Sequence, residues 1–295
     1  MKNGANTGKH SSPLHDFLLD PILLNALRED IGNGDITTNA CVPEDTTVTG
    51  RFTAKDSGVI CGLYAAARVF ALLDSAVVFT ARFGDGDAVA VGDEIAVIRG
   101  PARPILTGER VALNVLQHMS GVATMAAALT AQVPETCKIV DTRKTTPGLR
   151  VLEKYAVRVG GAGNHRFNLA DAVLIKDNHI AAAGGIKRAV EAARRNAPFT
   201  TRVEVETSNL SEVQQALDAG ADIIMLDNMD VETMRQVVIL VGGRALTEAS
   251  GNMGNKDIAA VAGTGVGFIS VGALTHSVRA LDISLKLEME NLCKA

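Results

Sequence analysis

From Arg202 to Asn228 the chain reads R-V-E-V-E-T-S-N-L-S-E-V-Q-Q-A-L-D-A-G-A-D-I-I-M-L-D-N. Two short strand-like runs, Arg202–Glu206 and Asp222–Leu226, flank a stretch, Leu210–Ala219, with helical spacing of its apolar residues. A strand–helix–strand unit of this kind makes its strands parallel, because each crossover between parallel neighbours needs a helix. The same texture continues in both directions. Strand-like runs at Lys138–Val140, Ala172–Ile175, Arg244–Thr247 and Phe268–Val271 alternate with helical patterns at Gly185–Arg195 and Val231–Leu240. With about six strands the stretch falls short of an eightfold barrel, and the expectation is an incomplete α/β barrel.

Upstream the texture is mixed. A helix around Pro21–Glu29 leads into a glycine-marked loop, Thr47–Lys55 alternates as a half-buried strand does, and Leu63–Leu73 has helical periodicity. Strand-like runs follow at Val77–Phe83 and Ala88–Ile98, and the G-D-G-D and G-D-E turns at Gly84 and Gly92 read as hairpin loops. These features predict a small α+β layer ahead of the barrel. A long helix is expected over Thr107–Gln132, capped by Thr107 and broken near Gly121. Val278–Leu292 is read as an amphipathic helix packing back on the first domain. The predicted organisation is a lead-in over residues 1–15, a first domain over 16–116, a barrel over 117–276 and the returning helix over 277–295.

Composition narrows the function classes. The chain has 295 residues, 47% of them hydrophobic and 21% charged, as ordinary globular proteins do. A net charge of -4 argues against a nucleic-acid partner, and 3% aromatics with no Trp argue against base stacking. No run of apolar residues is long enough to cross a bilayer, and Met1–Pro13 lacks the apolar core of a secretory signal. Cys41, Cys61, Cys137 and Cys293 are far apart and form no C-x-x-C, so free thiols in a reducing cytoplasmic setting are expected.

The candidate site residues follow from their places on the strands. Arg143-Lys144 and Lys176 come directly after buried-looking strands, where α/β barrels gather their ligands. His165-Arg166 lies in the glycine-rich G-G-A-G-N-H-R, through which backbone can approach a ligand closely. Glu204 sits deep in its strand, where a carboxylate must be paired or metal-bound, whereas Glu206 reads as a solvent-facing strand cap. Asp227 ends its strand, and position alone fits a ligand-binding acid and a helix cap for the segment near Asp230 equally well. The turns at Ser250-Gly251-Asn252 and Gly272-Ala273 follow the last two strands, where backbone N–H groups hold phosphate. A need for positive φ explains their glycines equally. His10, His15 and His118 show no ligand spacing. A pocket of many cations and two carboxylates suits a polyanionic sugar phosphate held with a metal.

Taken in order, E-D-I-G-N-G-D-I-T-T from Glu29, G-E-R-V-A-L-N-V-L-Q-H-M-S-G from Gly108, D-T-R-K-T-T-P-G-L-R from Asp141 and K-Y-A-V-R-V-G-G-A-G-N-H-R from Lys154 form a distinctive series. It continues with L-I-K-D-N-H-I, V-E-V-E, M-L-D-N, E-A-S-G-N and V-G-A-L-T-H-S. In this series the chain resembles the quinolinate phosphoribosyltransferases of NAD biosynthesis. The resemblance implies an N-terminal α/β sandwich and an incomplete, seven-stranded-type α/β barrel. It also implies a head-to-tail homodimer in which Arg110 reaches the neighbouring subunit's site. The implied reaction joins quinolinate to 5-phosphoribosyl 1-diphosphate with loss of carbon dioxide, giving nicotinate mononucleotide and pyrophosphate. Arg143, Lys144, His165, Arg166 and Lys176 match the basic wall around the substrates. Glu204 and Asp227 match the acids that hold the ribose and Mg2+, and Ser250, Gly251, Asn252, Gly272 and Ala273 match the 5-phosphate cradle. Lys144, Glu204 and Asp227 are the expected catalytic groups. A related phosphoribosyltransferase of the same fold, acting on another base, is the alternative.

Overall fold

A computed structural model describes residues 14–289, in two compact units. The first contains α1 (Asp16–Ile31), α2 (Ile36–Cys41), β1 (Thr47–Ala54), β2 (Gly58–Val59), α3 (Leu63–Leu73), β3 (Val78–Ala81), β4 (Ala88–Val89), β5 (Glu94–Pro101) and most of α4 (Ala102–Thr130). The chain then passes into the second unit, which opens with β6 (Lys138–Val140), and comes back to the first for α5 (Arg150–Val159). The rest of the second unit is β7 (Val173–Ile175), α6 (Asp177–Ala183), α7 (Ile186–Asn196), β8 (Val203–Thr207), α8 (Leu210–Asp218), β9 (Ile223–Asp227), α9 (Val231–Val241), β10 (Leu246–Ser250), α10 (Ile258–Ala262), β11 (Phe268–Ser270) and α11 (Ala273–His276). A final strand, β12 (Ile283–Met289), belongs again to the first unit.

In the first unit, an antiparallel sheet of order β12-β1-β5-β3 packs Phe52, Ile95 and Ile98 into a core shared with Leu19, Leu23 and Phe70. Phe52 meets Phe79 edge-on at 5.4 Å between ring centroids. Two expectations fail here. The C-terminal segment is a strand, with Ala54 opposite Ile283 and Val48 opposite Met289. Its sequence I-S-L-K-L-E-M alternates apolar and polar residues, a period of two that suits one buried sheet face better than a helix stripe. Gly50 makes the pairing possible, since a Cβ there would stand 2.7 Å from Leu287 and 2.9 Å from Ile98. The chain does return to the first unit, but by hydrogen-bonded pairing. Residues 290–295 of the expected helix, and residues 1–13 of the expected lead-in, lie outside the described residues.

The long helix is unbroken and starts earlier than expected, at Ala102. Thr107 is therefore inside it, and its hydroxyl donates to Asp35 at 3.2 Å. Gly121 serves close packing and causes no break: a Cβ there would lie 2.3 Å from the carbonyl oxygen of Arg279. The boundary expected at 116/117 falls within this helix, and the first unit runs on to Ala127. The G-D-G-D turn also does more than close a hairpin. Asp85 accepts from the N–H groups of Gly62 and Leu63 at the start of α3, and from the Tyr155 hydroxyl on α5.

The second unit is a parallel sheet of order β6-β11-β10-β9-β8-β7. Beyond β6 a one-residue bridge, Val140 with Gly163, supplies a seventh position, so the barrel is incomplete as expected. At the open seam Arg166 donates to the carbonyl of Ala172, the residue leading into β7, at 3.0 Å. Helix starts are set by side chains, with Asn209, Asp230 and Asp257 each accepting from the backbone N–H three residues on. Asp230 is thus the cap of α9, and Asp227 remains available to the site.

Candidate active site

Parallel register decides which side chains share the inner face. Glu204 is level with Leu174 and Ile223, and Glu206 with Met225, which is level with Glu248. Ser250 is level with Asp227. Because paired residues point to the same side, Glu204, Glu206, Asp227, Glu248 and Ser250 occupy one face, with Glu206 and Glu248 on one level of the register and Asp227 and Ser250 on the next. Two residues of strand are about 6.6 Å, so Glu206 stands one layer nearer the carboxyl ends than Glu204.

The lower layer is a closed cluster. His165 Nε2 lies 3.2 Å from Glu204 Oε2 and 3.4 Å from Glu248 Oε2. Glu204 is only 2% exposed and Glu248 4%. Burial lowers the His165 pKa, and hydrogen bonds to the two glutamates raise it by more. Yet Nδ1 accepts the Arg166 N–H at 2.7 Å, a contact a doubly protonated ring would lose. Nε2 is thus the nitrogen that faces the two glutamates, and burial raises the Glu204 pKa while its hydrogen bond to His165 lowers it. Glu204 Oε1 and Glu248 Oε1 are buried with no hydrogen-bond partner among the described residues. The loop carrying His165 is held from below by fully buried Asp141, which accepts from the His165 N–H at 2.8 Å and from Asn164 Nδ2 at 2.7 Å. A cavity of about 460 Å³ extends from this cluster toward the amino ends of the strands, lined by Arg166, Arg202, Leu246 and Phe268.

The upper layer, at the carboxyl ends, is open. Lys176 Nζ approaches Glu206 Oε2 at 3.5 Å. Burial raises the Glu206 pKa, Lys176 lowers it, and nearby Asp227 raises it again. Glu206 is thus no solvent-facing cap: it belongs to the site, between Lys176 and Asp227. Asp227 Oδ2 accepts from Asn228 Nδ2 at 2.9 Å. Lys144 is anchored through its backbone, its N–H donating to Thr142 Oγ1 at 3.0 Å and its carbonyl accepting from Thr275 Oγ1 at 2.8 Å. Its side chain runs past Gly272, where a Cβ would stand 3.2 Å from Lys144 Cδ. Arg143 and Arg166 are half-buried near one another. Burial lowers the Arg166 pKa, and the charge of Arg143 lowers it further.

The two glycine turns meet: a Cβ on Gly254 would lie 2.9 Å from Ala273 Cβ, joining the Ser250-Gly251-Asn252 turn to Gly272-Ala273. At Gly251 the need for positive φ holds, with φ at +89°, and Asn228 leaves no room for a Cβ. Arg110 lies in the first unit, exposed on α4. The sequence reading gave no role to Asp141, Glu248 or Asn228. Only Glu248 carried a readable signal, an acid inside an apolar strand.

Profiles of known families match both parts of the chain. One described as "Quinolinate phosphoribosyl transferase, N-terminal domain" covers residues 35–120, and its C-terminal counterpart covers 122–286. A probable nicotinate-nucleotide pyrophosphorylase [carboxylating] of Synechocystis is 47% identical, with 92% of this chain and 93% of that protein covered. Quinolinate phosphoribosyltransferase [decarboxylating] 1b of Nicotiana tabacum is 40% identical, over 98% of this chain and 88% of its own. Among solved structures, NadC of Streptococcus pyogenes superposes with a TM-score of 0.89 at 46% identity, covering 94% of this chain and 99% of that one.

Proposed function

The chain belongs to the quinolinate phosphoribosyltransferase family, and from that premise we propose that it transfers the phosphoribosyl group of phosphoribosyl diphosphate to quinolinate with decarboxylation. The products are nicotinate mononucleotide, pyrophosphate and carbon dioxide, and the pathway served is NAD biosynthesis. The observation that carries the reading is the upper layer: Lys144, Lys176, Glu206, Asp227 and two touching glycine turns, gathered at the carboxyl ends of parallel strands.

The chemistry assigns their work. The pyridine nitrogen attacks C1 of the ribose as the C1–pyrophosphate bond breaks. Positive charge grows on the ribose ring and negative charge on the leaving oxygen. Lys144 and Lys176 face the anionic groups, and Asp227 faces the ribose, so oppositely signed side chains wait where charge develops. No covalent bond to the protein is needed. The C2–carboxylate bond then breaks with its electron pair left on C2, stabilised by the adjacent quaternised nitrogen, as carbon dioxide leaves, and C2 gains a proton. Arg143 and Arg166 hold the dicarboxylate in place. His165, with both nitrogens engaged inside the protein, acts by holding the wall together. Ser250, Gly251, Asn252, Gly272 and Ala273 cradle the 5-phosphate.

Mg2+ would be held at Asp227, which offers hard carboxylate oxygens in the open upper layer, whereas Glu204 is closed into the lower cluster with His165 and Glu248. When bound, the ion neutralises charge on the diphosphate. Exposed Arg110 suits delivery by a second copy of the chain to its neighbour's site, which makes the working form a homodimer. Among the described residues no helix is long and apolar enough to cross a membrane. Cys41, Cys61 and Cys137 are free thiols, as in a cytoplasmic enzyme, and Cys293 lies outside the described residues.

The test is to supply purified protein with Mg2+, phosphoribosyl diphosphate and either quinolinate or nicotinate, measuring nucleotide and carbon dioxide. Quinolinate-dependent product with equimolar carbon dioxide is expected. Turnover of nicotinate, or of neither base, contradicts the assignment in favour of a related transferase.

A further inference from the structure

Asn228 and Asn252 are the non-glycine residues with positive φ among the described residues, at 55° and 53°, and each follows a strand of the site. Such conformations cost energy for a side chain, least for Asn, and persist where the surroundings fix them. At Asn228 the surroundings are visible. Its N–H donates to the Ser250 carbonyl at 3.0 Å, tying the end of β9 to the end of β10. Its side chain lies over Gly251, where a Cβ would come within 2.3 Å of Asn228 Oδ1 and 2.7 Å of its backbone nitrogen. Its Nδ2 donates to Asp227 Oδ2 at 2.9 Å.

We propose that Asn228 is a positioning residue for the phosphoribosyl diphosphate site, its left-handed backbone seated on Gly251 so that its amide fixes the Asp227 carboxylate. One carboxylate oxygen is held by the amide, and the other is turned toward the ligand. The glycine at 251 then has a second task beside any phosphate it meets, since a larger residue there would displace Asn228 and release Asp227. The same arrangement links the acid that faces the ribose to the turn that faces the 5-phosphate, so the two ends of one substrate are set by one contact. The inference rests on Asp227 serving phosphoribosyl diphosphate.

The experiment compares Asn228→Gly, Asn228→Asp and Asp227→Asn with the unaltered protein. Thermal unfolding, binding of Mg2+–phosphoribosyl diphosphate by calorimetry, and the kinetic constants for each substrate are recorded. Glycine accepts the backbone conformation but lacks the amide, so unfolding should stay within about 2 °C. The kcat/KM for phosphoribosyl diphosphate should fall roughly tenfold to a hundredfold, the scale of one hydrogen bond to a charged group, with the KM for quinolinate unchanged. Asn228→Asp, which sets a second anion beside Asp227, should lose more. Wild-type binding and turnover in Asn228→Gly, with loss in Asp227→Asn, overturns the positioning role alone. Retained binding in Asp227→Asn overturns the assignment of Asp227, and the positioning role with it.

Discussion

The two layers of the barrel interior use the same residue types in opposite ways. In the lower layer Glu204, Glu248 and Asp141 are buried and His165 is half-buried, and their hydrogen bonds go mainly to one another and to the backbone of the loop they hold. In the upper layer Lys144 is exposed, Lys176 and Glu206 touch at 3.5 Å, and Asp227 accepts from the amide of its neighbour Asn228. A satisfied charge stabilises a fold but has little left to give a substrate. An exposed charge contributes little to stability and can move its interaction onto a ligand. The lower layer builds the site, and the upper layer does the chemistry.

The largest effect is expected from removing the upper pair. Lys176→Ala and Glu206→Ala should each lower turnover by on the order of a hundredfold, as loss of a charge aimed at the reacting groups does, with unfolding unchanged. Steady-state kinetics beside thermal unfolding reads both, and a large drop in stability would erase the contrast between the layers. Next, Asp141→Ala should cost about 2–4 kcal/mol of unfolding free energy, because it removes the fully buried carboxylate that accepts from the His165 N–H and from Asn164. Denaturant titration measures it. If the protein is unaffected, the lower layer does not hold the loop.

A smaller effect belongs to the amino end of the strands. Burial raises the Asp222 pKa, but Arg194 at 2.7 Å and the Val203 N–H at 2.6 Å outweigh it, leaving the carboxyl below its usual range. A carboxyl lowered in the folded state adds stability above its unfolded pKa of about 3.9 and loses it as pH falls through the folded value. The pair is about a third exposed, which holds the contribution to roughly 1 kcal/mol. Asp222→Asn should therefore be less stable near neutrality and converge on the parent in acid. Parallel curves across pH would rule this out. The smallest change, Asp230→Ala, removes the α9 cap and should cost about 1 kcal/mol while leaving turnover alone, as seen by unfolding and assay together.

The strand–helix alternation was legible because each parallel strand needs its crossover, and that rule placed Glu204 on a strand, and Asp227 and Lys176 at strand ends, before any contact was known. The last strand was misread because seven alternating residues, Ile283–Met289, also carry apolar groups at spacings a helix accepts. The even numbering that puts Glu204 and Glu206 on one face was visible. Glu204 was also read as the deeper of the two, but the place of Glu206 in the site was not legible, since it depends on Lys176 arriving from a neighbouring strand. Asn228 and Asp141 act through the backbone of residues distant in sequence, Ser250 and His165, and no local pattern announces such contacts. Gly121 looked like a break, whereas its role is set by a carbonyl that arrives from Arg279.

The division between the layers is tested most directly at Lys144, whose backbone is anchored and whose side chain is exposed. Lys144→Ala should unfold as the parent does while quinolinate-dependent carbon dioxide release falls by about a hundredfold. Release at the parent rate would contradict the account, because the charge that defines the upper layer would then take no part in the reaction.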